Sequence, residues 1–410
     1  MRVLRLLVLT QYFWPENFRI NDIVQGLTER GHEVTVYTGV PNYPGGRYFA
    51  GYGFFGPRRE SFGAAAVRRA PLIPRGGGGG LRLSLNYLSH ALFATLLAPW
   101  LVPGKFDAIL VWETSPITIG IPARALRALK RAPVLFWVQD LWPESVSAAG
   151  GVRNRWLLGA IGALVRWIYR GCHRVLVQSE AFIAPVEAQG VPRARIRYLP
   201  NSAEAFYRRL EPDAQGQEAR EMPGGFRVLF AGNIGAAQDF ATIVAAATLL
   251  RERKDIQWII LGDGRMREWV EGEVRAQGLQ ATFHMLGQRP PESMPRYFAH
   301  ADVLLATLKR EPIFAFTIPS KIQSYLACGK PLIAALEGEG ARIVEQAGAG
   351  WAVPPEDPRA LADAVLAASR LAKPERDAMG SRGEACFREQ FEREKLLSRL
   401  EAELAEAVTA

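Results

Sequence analysis

Residues 227–264 read RVLFAGNIGAAQDFATIVAAATLLRERKDIQWIILGDG and set the fold class of this chain. The stretch opens with a short apolar run, predicted as a strand over Arg227–Ala231, and continues with a helical pattern over Asp239–Arg253. A second strand, predicted over Gln257–Leu261, follows. Two strands joined by a helix predict a parallel sheet with crossover helices.

The same alternation extends in both directions and predicts an α/β protein of two doubly wound, Rossmann-like domains facing a cleft. Strands before residue 200 are predicted at Val3–Thr10, Glu33–Thr38, Ala108–Trp112, Pro133–Val138, Arg174–Gln178 and Arg195–Leu199. Helices in that half are predicted at Ile20–Arg30 and Ile117–Lys130. After residue 264, strands are predicted at Thr282–Leu286, Asp302–Leu305 and Pro331–Ala334, and helices at Met266–Gln277 and Ser320–Ala327.

A chain of 410 residues is long enough for two domains. Periodicity fades between Asn201 and Gly225, where the composition turns polar, and this predicts a linker. We expect an N-terminal domain over residues 1–205 and a C-terminal domain over residues 206–383. Residues 384–410 are expected to form a helix that packs back on the N-terminal domain.

The charge of the chain is uneven. Its formal net charge is +9, but residues 1–200 hold 24 Lys and Arg against 11 Asp and Glu. This basic half predicts an anionic partner: nucleic acid, a phosphorylated substrate or an acidic membrane face. Because it lacks a basic stripe interleaved with aromatic residues, we expect no nucleic acid to bind.

A segment without charged residues runs from Leu83 to Gly104. Three interpretations stay open: a helix buried in the first domain, a helix dipping into a membrane surface, or a membrane span. The flanks are basic, as anionic lipid would require. These flanking residues are Arg68, Arg69, Arg75, Arg82 and Lys105.

Cys172, Cys328 and Cys386 lie far apart and form no metal-binding spacing. They predict reduced thiols in a cytosolic protein without a disulfide or a metal site. The apolar run after Met1 lacks a cleavage site and is interpreted as a core strand rather than a signal peptide.

Glycine-containing loops follow two predicted strands. Gly232, Asn233 and Gly235 follow one strand, and Gly262-Asp263 follows the next. Backbone N–H groups in such loops can approach a phosphate at a helix N-terminus, although a plain tight turn explains the same glycines.

Pro319-Ser320-Lys321 opens the predicted helix Ser320–Ala327. Ser320 can cap this helix. Lys321 lies in the first turn, where a cation opposes the helix dipole unless an anion neutralises it. This position therefore predicts a bound phosphate, with a solvated surface lysine as the alternative.

Carboxylates end two predicted strands of the first half. Glu113 and Asp140 could position a sugar hydroxyl or act as a base, or could cap helices. A Walker loop, GxGxxG after the first strand, HExxH and GxSxG do not occur, which argues against a dinucleotide oxidoreductase.

These motifs, in this order, resemble glycosyltransferase family 4, the retaining nucleotide-sugar enzymes of the GT-B fold. The resemblance is strongest to the exopolysaccharide and O-antigen branch, with its colanic-acid-type and L-fucosaminyltransferase-type enzymes. It rests on QYFWPENFRIND (11–22), GHEVTV (31–36), PNYP (41–44), WVQDLWPE (137–144), LPN (199–201), AGNIG (231–235) and PSKIQSYLA (319–327).

The resemblance implies roles for individual residues. Those implied to bind the donor diphosphate or nucleoside are Gly232, Asn233, Gly235, Gly262, Asp263, Gly287, Gln288, Pro319, Ser320, Lys321 and Ser324. Acceptor-side residues are Glu16, Asn17 and Arg19. Asp140 and Glu113 are the catalytic candidates, with Gln139 where many relatives keep a histidine.

Two features depart from the family pattern. Phe316 and Ser324 occupy the positions of a frequent pair of glutamates, and Asn233 and Gln238 occupy those of a frequent Arg and Lys pair. Binding of the donor phosphates is therefore expected to depend more on Lys321 and on backbone amides.

The resemblance implies transfer of a sugar, with retention and without a metal or cofactor, from a nucleotide-sugar, expected to be UDP-linked. The implied acceptor is a polyprenyl-diphosphate-linked saccharide in exopolysaccharide, capsule or O-antigen assembly. The expected location is the inner face of the cytoplasmic membrane, bound peripherally. Alternatives are a nucleotide-sugar 2-epimerase and a non-enzymatic membrane-docked protein.

Overall fold

The computed structural model describes residues 2–77, 79–146 and 154–409. The chain divides into two compact units, one of Met1–Pro200 together with Leu396–Ala410 and the other of Asn201–Lys395. This division falls at the start of the predicted linker, slightly before the expected boundary. Each unit is built around its own sheet, as the alternating pattern predicts.

The first unit contains an eight-stranded sheet in the order β3-β4-β2-β1-β5-β6-β7-β8, parallel except for the β3–β4 pair. Every residue of β1 after its first is buried, because helices cover both faces of the sheet. The strands are β1 Arg5–Thr10, β2 Glu33–Gly39, β3 Arg59–Phe62, β4 Ala65–Ala70, β5 Ala108–Glu113, β6 Val134–Val138, β7 Arg174–Val177 and β8 Ile196–Tyr198.

The two helices predicted to begin at Ile20 and Ile117 are both present in this unit. One difference is that Ile117–Ile119 forms a separate 3-10 turn before its helix. The helices are α1 Ile20–Glu29, α2 Gly80–Leu101, α3 Gly120–Lys130, α4 Arg155–Arg170 and α5 Ile183–Ala188.

The second unit contains a parallel six-stranded sheet in the order β11-β10-β9-β12-β13-β14. Its strands are β9 Phe226–Ala231, β10 Ile256–Leu261, β11 Phe283–Gly287, β12 Val303–Thr307, β13 Leu332–Ala335 and β14 Gly350–Val353. Its helices are α6 Gln217–Glu221, α7 Phe240–Leu249, α8 Arg267–Ala276, α9 Met294–His300, α10 Pro312–Phe316, α11 Ser320–Ala327, α12 Glu339–Gln346, α13 Pro358–Arg370 and α14 Lys373–Gln390.

The C-terminal region departs from the single helix expected over residues 384–410. α14 ends at Gln390, and α15 spans Arg393–Thr409. Phe391 is fully buried in the core of the second unit, whereas Leu397, Leu400 and Leu404 are fully buried in the core of the first. The region is therefore two helices, and the buried residues on the two sides of the break belong to different cores.

Glu401 ties α15 to the first unit. Its Oε1 lies 2.9 Å from Nε2 of His32, and its other oxygen accepts a hydrogen bond from the Arg30 guanidinium. Glu401 and His32 are almost wholly buried, so these contacts are screened little by solvent.

The charge-free segment forms most of α2, and only one side of this helix is buried. The buried side is polar or small, and consists of Asn86, Ser89, His90, Ala91, Ala94 and Ala98. The large apolar side chains left exposed are Leu81, Leu85, Leu88, Leu92, Leu96 and Trp100. Within the described parts of the chain, neither α2 nor any other helix has the length and hydropathy to span a bilayer.

Candidate functional site

Three loops meet at the carboxyl edge of the second sheet. The Gly232 N–H donates to the Leu261 carbonyl at 2.8 Å, and the Gly262 N–H donates to the Gly287 carbonyl at 2.9 Å. The Ile234 N–H donates to the Asp263 carbonyl at 2.8 Å. The ends of β9, β10 and β11 are thereby held together where ligands of such sheets bind.

Two of these loops require glycine. Gly262 has φ +144°, and a Cβ there would lie 1.9 Å from the Gly232 carbonyl oxygen. Gly232 has φ +139°, and a Cβ there would lie 2.6 Å from Cε of Lys321. The Lys321 side chain therefore lies directly against the first glycine loop.

Lys321 brings a cation into this site from the first turn of α11. Its side chain is only half-buried by area, but its Nζ is shielded from solvent and has no hydrogen-bond partner among the described residues. Nζ lies 3.5 Å from the centroid of the Phe230 ring. Burial lowers the pKa of Lys321 to about 7, since the charged form loses its hydration.

A cavity of about 230 Å³ adjoins Lys321. Gln238 also lines it, and the Gln238 Oε1 is a second buried polar atom without a partner among the described residues. Pro319, Ser320 and Thr307 form part of the wall. Unpaired buried polar groups are costly, so both atoms indicate a polar ligand.

The expected cap of α11 is wrong in one detail. Pro319, not Ser320, is the residue that precedes the helix, and no side-chain hydrogen bond caps it. Ser320 is exposed at the first helical position. Its hydroxyl is therefore not committed to capping.

The other residues implied to bind the donor have different surroundings. Asn233 and Gln288 are exposed. An Asp263 oxygen accepts from the Gly264 N–H at 2.7 Å. The buried Ser324 hydroxyl donates to the Ser320 carbonyl at 3.2 Å, so its hydrogen bond is made within its own helix.

In the first unit, Glu113 and Asp140 lie at the carboxyl ends of neighbouring strands. Glu113 ends β5 and is fully buried, and neither carboxylate oxygen has a hydrogen-bond partner among the described residues. Burial, and then the Asp140 charge, raise the pKa of Glu113 well above its usual value. Both effects favour the neutral form of the Glu113 carboxyl.

Asp140 accepts a hydrogen bond from the Ser145 hydroxyl. Burial raises its pKa, and hydrogen bonds from Ser145 and Ser115 oppose that rise. Tyr87 is close enough to feel both the Asp140 charge and the Arg75 charge. The Asp140 carboxylate thus accepts side-chain hydrogen bonds, whereas that of Glu113 accepts none from the described residues.

Sequence reasoning missed the aromatic group around Arg75. The Arg75 guanidinium lies over the Tyr43 ring, 5.0 Å from its centroid, and 5.9 Å from that of Tyr12. Tyr12 and Phe18 stack at 5.2 Å. Only the run of aromatic residues in QYFWPENF hinted at this group.

The three acceptor-side candidates differ in how deeply they are buried. Glu16 is buried and accepts backbone hydrogen bonds from Asn42 and Tyr43, each at 2.7 Å. Despite these bonds, burial raises its pKa to about 7. Glu16 therefore joins two loops, whereas Asn17 is exposed and Arg19 is half-buried beside the start of α1.

Two family models match the chain. The one described as "Glycosyl transferase 4-like domain" matches residues 17–202, and the one described as "Glycosyl transferases group 1" matches residues 225–370. Together they cover most of both units.

Curated relatives agree with these matches. The glycosyltransferase WbjE of Pseudomonas aeruginosa is 30% identical over 62% of this chain, and the match spans 64% of WbjE. The colanic acid biosynthesis glycosyl transferase WcaI of Escherichia coli (strain K12) is 25% identical over 86% of this chain and 88% of its own length.

Solved structures share the fold at low identity. Anabaena Alr3699/HepE, crystallised with UDP, has a TM-score of 0.69 and 14% identity, covering 98% of this chain and all of its own. Sucrose-phosphate synthase from Thermosynechococcus elongatus has a TM-score of 0.75 and 17% identity, covering 99% of both chains. WaaG, a glycosyltransferase of lipopolysaccharide biosynthesis, has a TM-score of 0.64 and 14% identity over 93% of this chain and 94% of its own.

Proposed function

This chain belongs to the glycosyl transferases, with two Rossmann-like domains of the GT-B type, and we propose that it moves a sugar from a UDP-linked donor to a lipid-linked saccharide. The acceptor we propose is a polyprenyl-diphosphate-linked glycan in polysaccharide assembly. WcaI and WaaG are named for colanic acid and lipopolysaccharide biosynthesis.

One observation carries the donor assignment. The Lys321 ammonium is buried without a partner among the described residues, beside a glycine loop and a cavity at the carboxyl edge of the second sheet. A buried cation that lacks a carboxylate is stabilised by an anionic ligand. A diphosphate supplies two negative groups, and HepE crystallises with UDP in the same fold.

The chemistry follows from where charge develops. As the sugar–phosphate bond breaks, negative charge grows on the leaving diphosphate and positive charge on the ring carbon. Lys321 stabilises the diphosphate, and the N–H groups of Asn233 and Gly235 and the start of α11 contribute preorganised dipoles. No metal is needed for this step.

The acceptor assignment rests on the first unit. Asp140 is held by Ser145 and Ser115, and we place the acceptor hydroxyl at its carboxylate. Attack on the same face as the departing diphosphate, with a donor phosphate oxygen taking the proton, gives retention without a nucleophilic carboxylate. The raised pKa of Glu113 favours its neutral form, which lessens charge repulsion with the neighbouring Asp140.

The donor is tested by thermal unfolding with UDP, GDP and dTDP and with their glucose esters. A ligand that binds only the folded protein raises its unfolding temperature. UDP should stabilise the wild type and should fail to stabilise Lys321→Ala. An equal shift in both proteins would overturn the assignment.

The reaction is tested by incubation with UDP-sugars, with and without a polyprenyl-diphosphate glycan. Transfer predicts a glycolipid whose new linkage keeps the donor's anomeric configuration by NMR. Formation of a new nucleotide-sugar in the absence of acceptor would instead indicate an epimerase.

A further inference from the structure

Helix α2 has the reverse of the usual polarity of a surface helix. Its inward side is fixed by polar contacts: Asn86 accepts from the Gln11 amide at 2.8 Å and donates to the Ile73 carbonyl at 2.6 Å. Ser89 accepts from the Ile73 N–H at 2.9 Å. Rotation of α2 about its axis would break these hydrogen bonds, so the opposite side of the helix stays exposed.

The outward side is a continuous apolar stripe, defined by Leu81, Leu85, Leu88, Leu92, Leu96 and Trp100. The intervals of three or four residues place these side chains on one face of the helix. Leu81 is 77% exposed, Leu88 56% and Trp100 70%. At 1.5 Å per residue the stripe is about 28 Å long, more than scattered surface leucines explain.

Neighbouring aromatic residues widen this stripe. Phe93 of α2 contacts Phe54 edge-on at 5.3 Å, and Phe54 contacts Phe55 at 5.1 Å. The Phe55 side chain is 92% exposed. Apolar surface thus continues from the helix onto the preceding loop.

The charged residues within the stretch of chain that contains the stripe are all basic. The sequence contains no Asp or Glu between Glu60 and Asp107. Arg82 is exposed in the first turn of α2 and Lys105 is exposed beyond its end. Lys130 donates to the Gly104 carbonyl at 3.1 Å, which adds a second cation there.

We propose that the α2 stripe is an interfacial anchor that lies parallel to a bilayer of anionic phospholipid. Leucine and tryptophan side chains enter the headgroup boundary, and Arg82, Lys105 and Lys130 bind lipid phosphates at the two ends. This inference rests on the proposed function insofar as a lipid-linked acceptor resides in that bilayer. One basic residue expected from the sequence to bind lipid is excluded: Arg69 is fully buried against Glu60 and cannot contact lipid.

The test is flotation of the full chain with vesicles of phosphatidylcholine, alone or mixed with phosphatidylglycerol. The variant is Leu88→Gln with Leu92→Gln, and the matched control is Leu249→Gln, an equally exposed leucine of the second unit. All three positions are exposed, so the proteins should fold alike by circular dichroism. Binding should require phosphatidylglycerol, weaken with salt, and fall at least about tenfold in the variant but not in the control.

Two results would overturn the inference. One is binding by the wild type that is absent or equal in variant and control. The other is light scattering that shows a wild-type dimer dissociated by Leu88→Gln with Leu92→Gln, without vesicle binding, which would assign the stripe to a second copy of the chain. UDP binding is measured on the same samples, so that a wild type that binds UDP but no vesicles refutes the anchor and not the transferase.

Discussion

Nζ of Lys321 lies 3.5 Å from the centroid of the Phe230 ring, and the same side chain lies against the Gly232 loop. The ring face attracts the ammonium, but a neutral aromatic ring cannot replace the lost hydration of a full charge. The free protein therefore carries an electrostatic cost at this point, and a bound anion removes it.

Binding of UDP should depend on pH above neutrality. The pKa of Lys321 is about 7 in the free protein, and a diphosphate favours the charged form. Affinity should be flat below pH 7 and weaken by up to about tenfold per pH unit above it, because binding must then take up a proton. Calorimetry in buffers of different ionisation enthalpy measures that uptake.

Lys321→Met should bind UDP weakly, while Lys254→Met, at an exposed lysine, should bind it as the wild type does. The folded-state pKa of Lys321 lies below its unfolded value, so its cost to stability is full below pH 7 and is relieved as pH rises toward the ordinary lysine range. Lys321→Met should therefore raise the free energy of unfolding at pH 6 by about 1–3 kcal/mol. Lower stability together with unchanged UDP affinity would contradict both statements.

Gly232→Ala should weaken UDP binding at least about tenfold and destabilise the protein by about 1 kcal/mol or more. The new Cβ would lie 2.6 Å from Lys321 Cε, and φ at this position is +139°. Gly272→Ala is the control, since nothing lies within 4 Å of its Cβ. Titration calorimetry measures the affinities, and unaltered UDP binding in Gly232→Ala would place the diphosphate elsewhere.

The two carboxyl groups of the first unit should respond differently to amide substitution. Glu113→Gln keeps a neutral group of the same shape at a carboxyl whose raised pKa favours the neutral form, and should retain most activity. Asp140→Asn should lower kcat by up to about 10²-fold, because the carboxylate positions the acceptor hydroxyl. Because the folded pKa of Glu113 is raised, its contribution to stability is present below the ordinary glutamate pKa and is lost as pH rises toward the folded value. Urea unfolding between pH 4 and 9 should show this loss in the wild type and not in Glu113→Gln.

Glu401→Ala should lower the free energy of unfolding by about 3 kcal/mol, because it leaves His32 and Arg30 without their buried partner. Glu406→Ala removes an ion pair with Arg174 whose carboxylate is half-exposed, and should cost less than about 1 kcal/mol. Chemical denaturation compares the two. Equal losses would mean that Glu401 does not bind α15 to its unit.

The sequence predicted the strands that are mostly apolar. β1, β9 and β10 are continuous apolar runs, and the structure confirms them within one or two residues at each end. β3 and β4 escaped prediction because RESF and AAVRRA are rich in charge and alanine. Arg69 is buried there only because Glu60, the Gly39 carbonyl and the Trp14 carbonyl pair with it, and those partners are distant in sequence or on another strand.

The site was predictable where local geometry dictates it. Gly232, Gly262 and Lys321 follow strands or begin a helix, so their positions could be inferred from the order of elements. The burial of Glu16 and the stacking of Arg75 on Tyr43 depend on loops that meet only in the folded chain. Contacts of this kind leave no pattern in the local sequence.

The core of the first unit includes Leu396, Leu397, Leu400 and Leu404, which are synthesised after the whole of the second unit. Until α15 has been synthesised, the apolar surface of residues 1–200 against which it packs is uncovered. This unit reaches its full stability only when α15 is added. The order of synthesis therefore makes the second unit the first that can finish folding, and a nascent chain would need protection from aggregation at its N-terminal half.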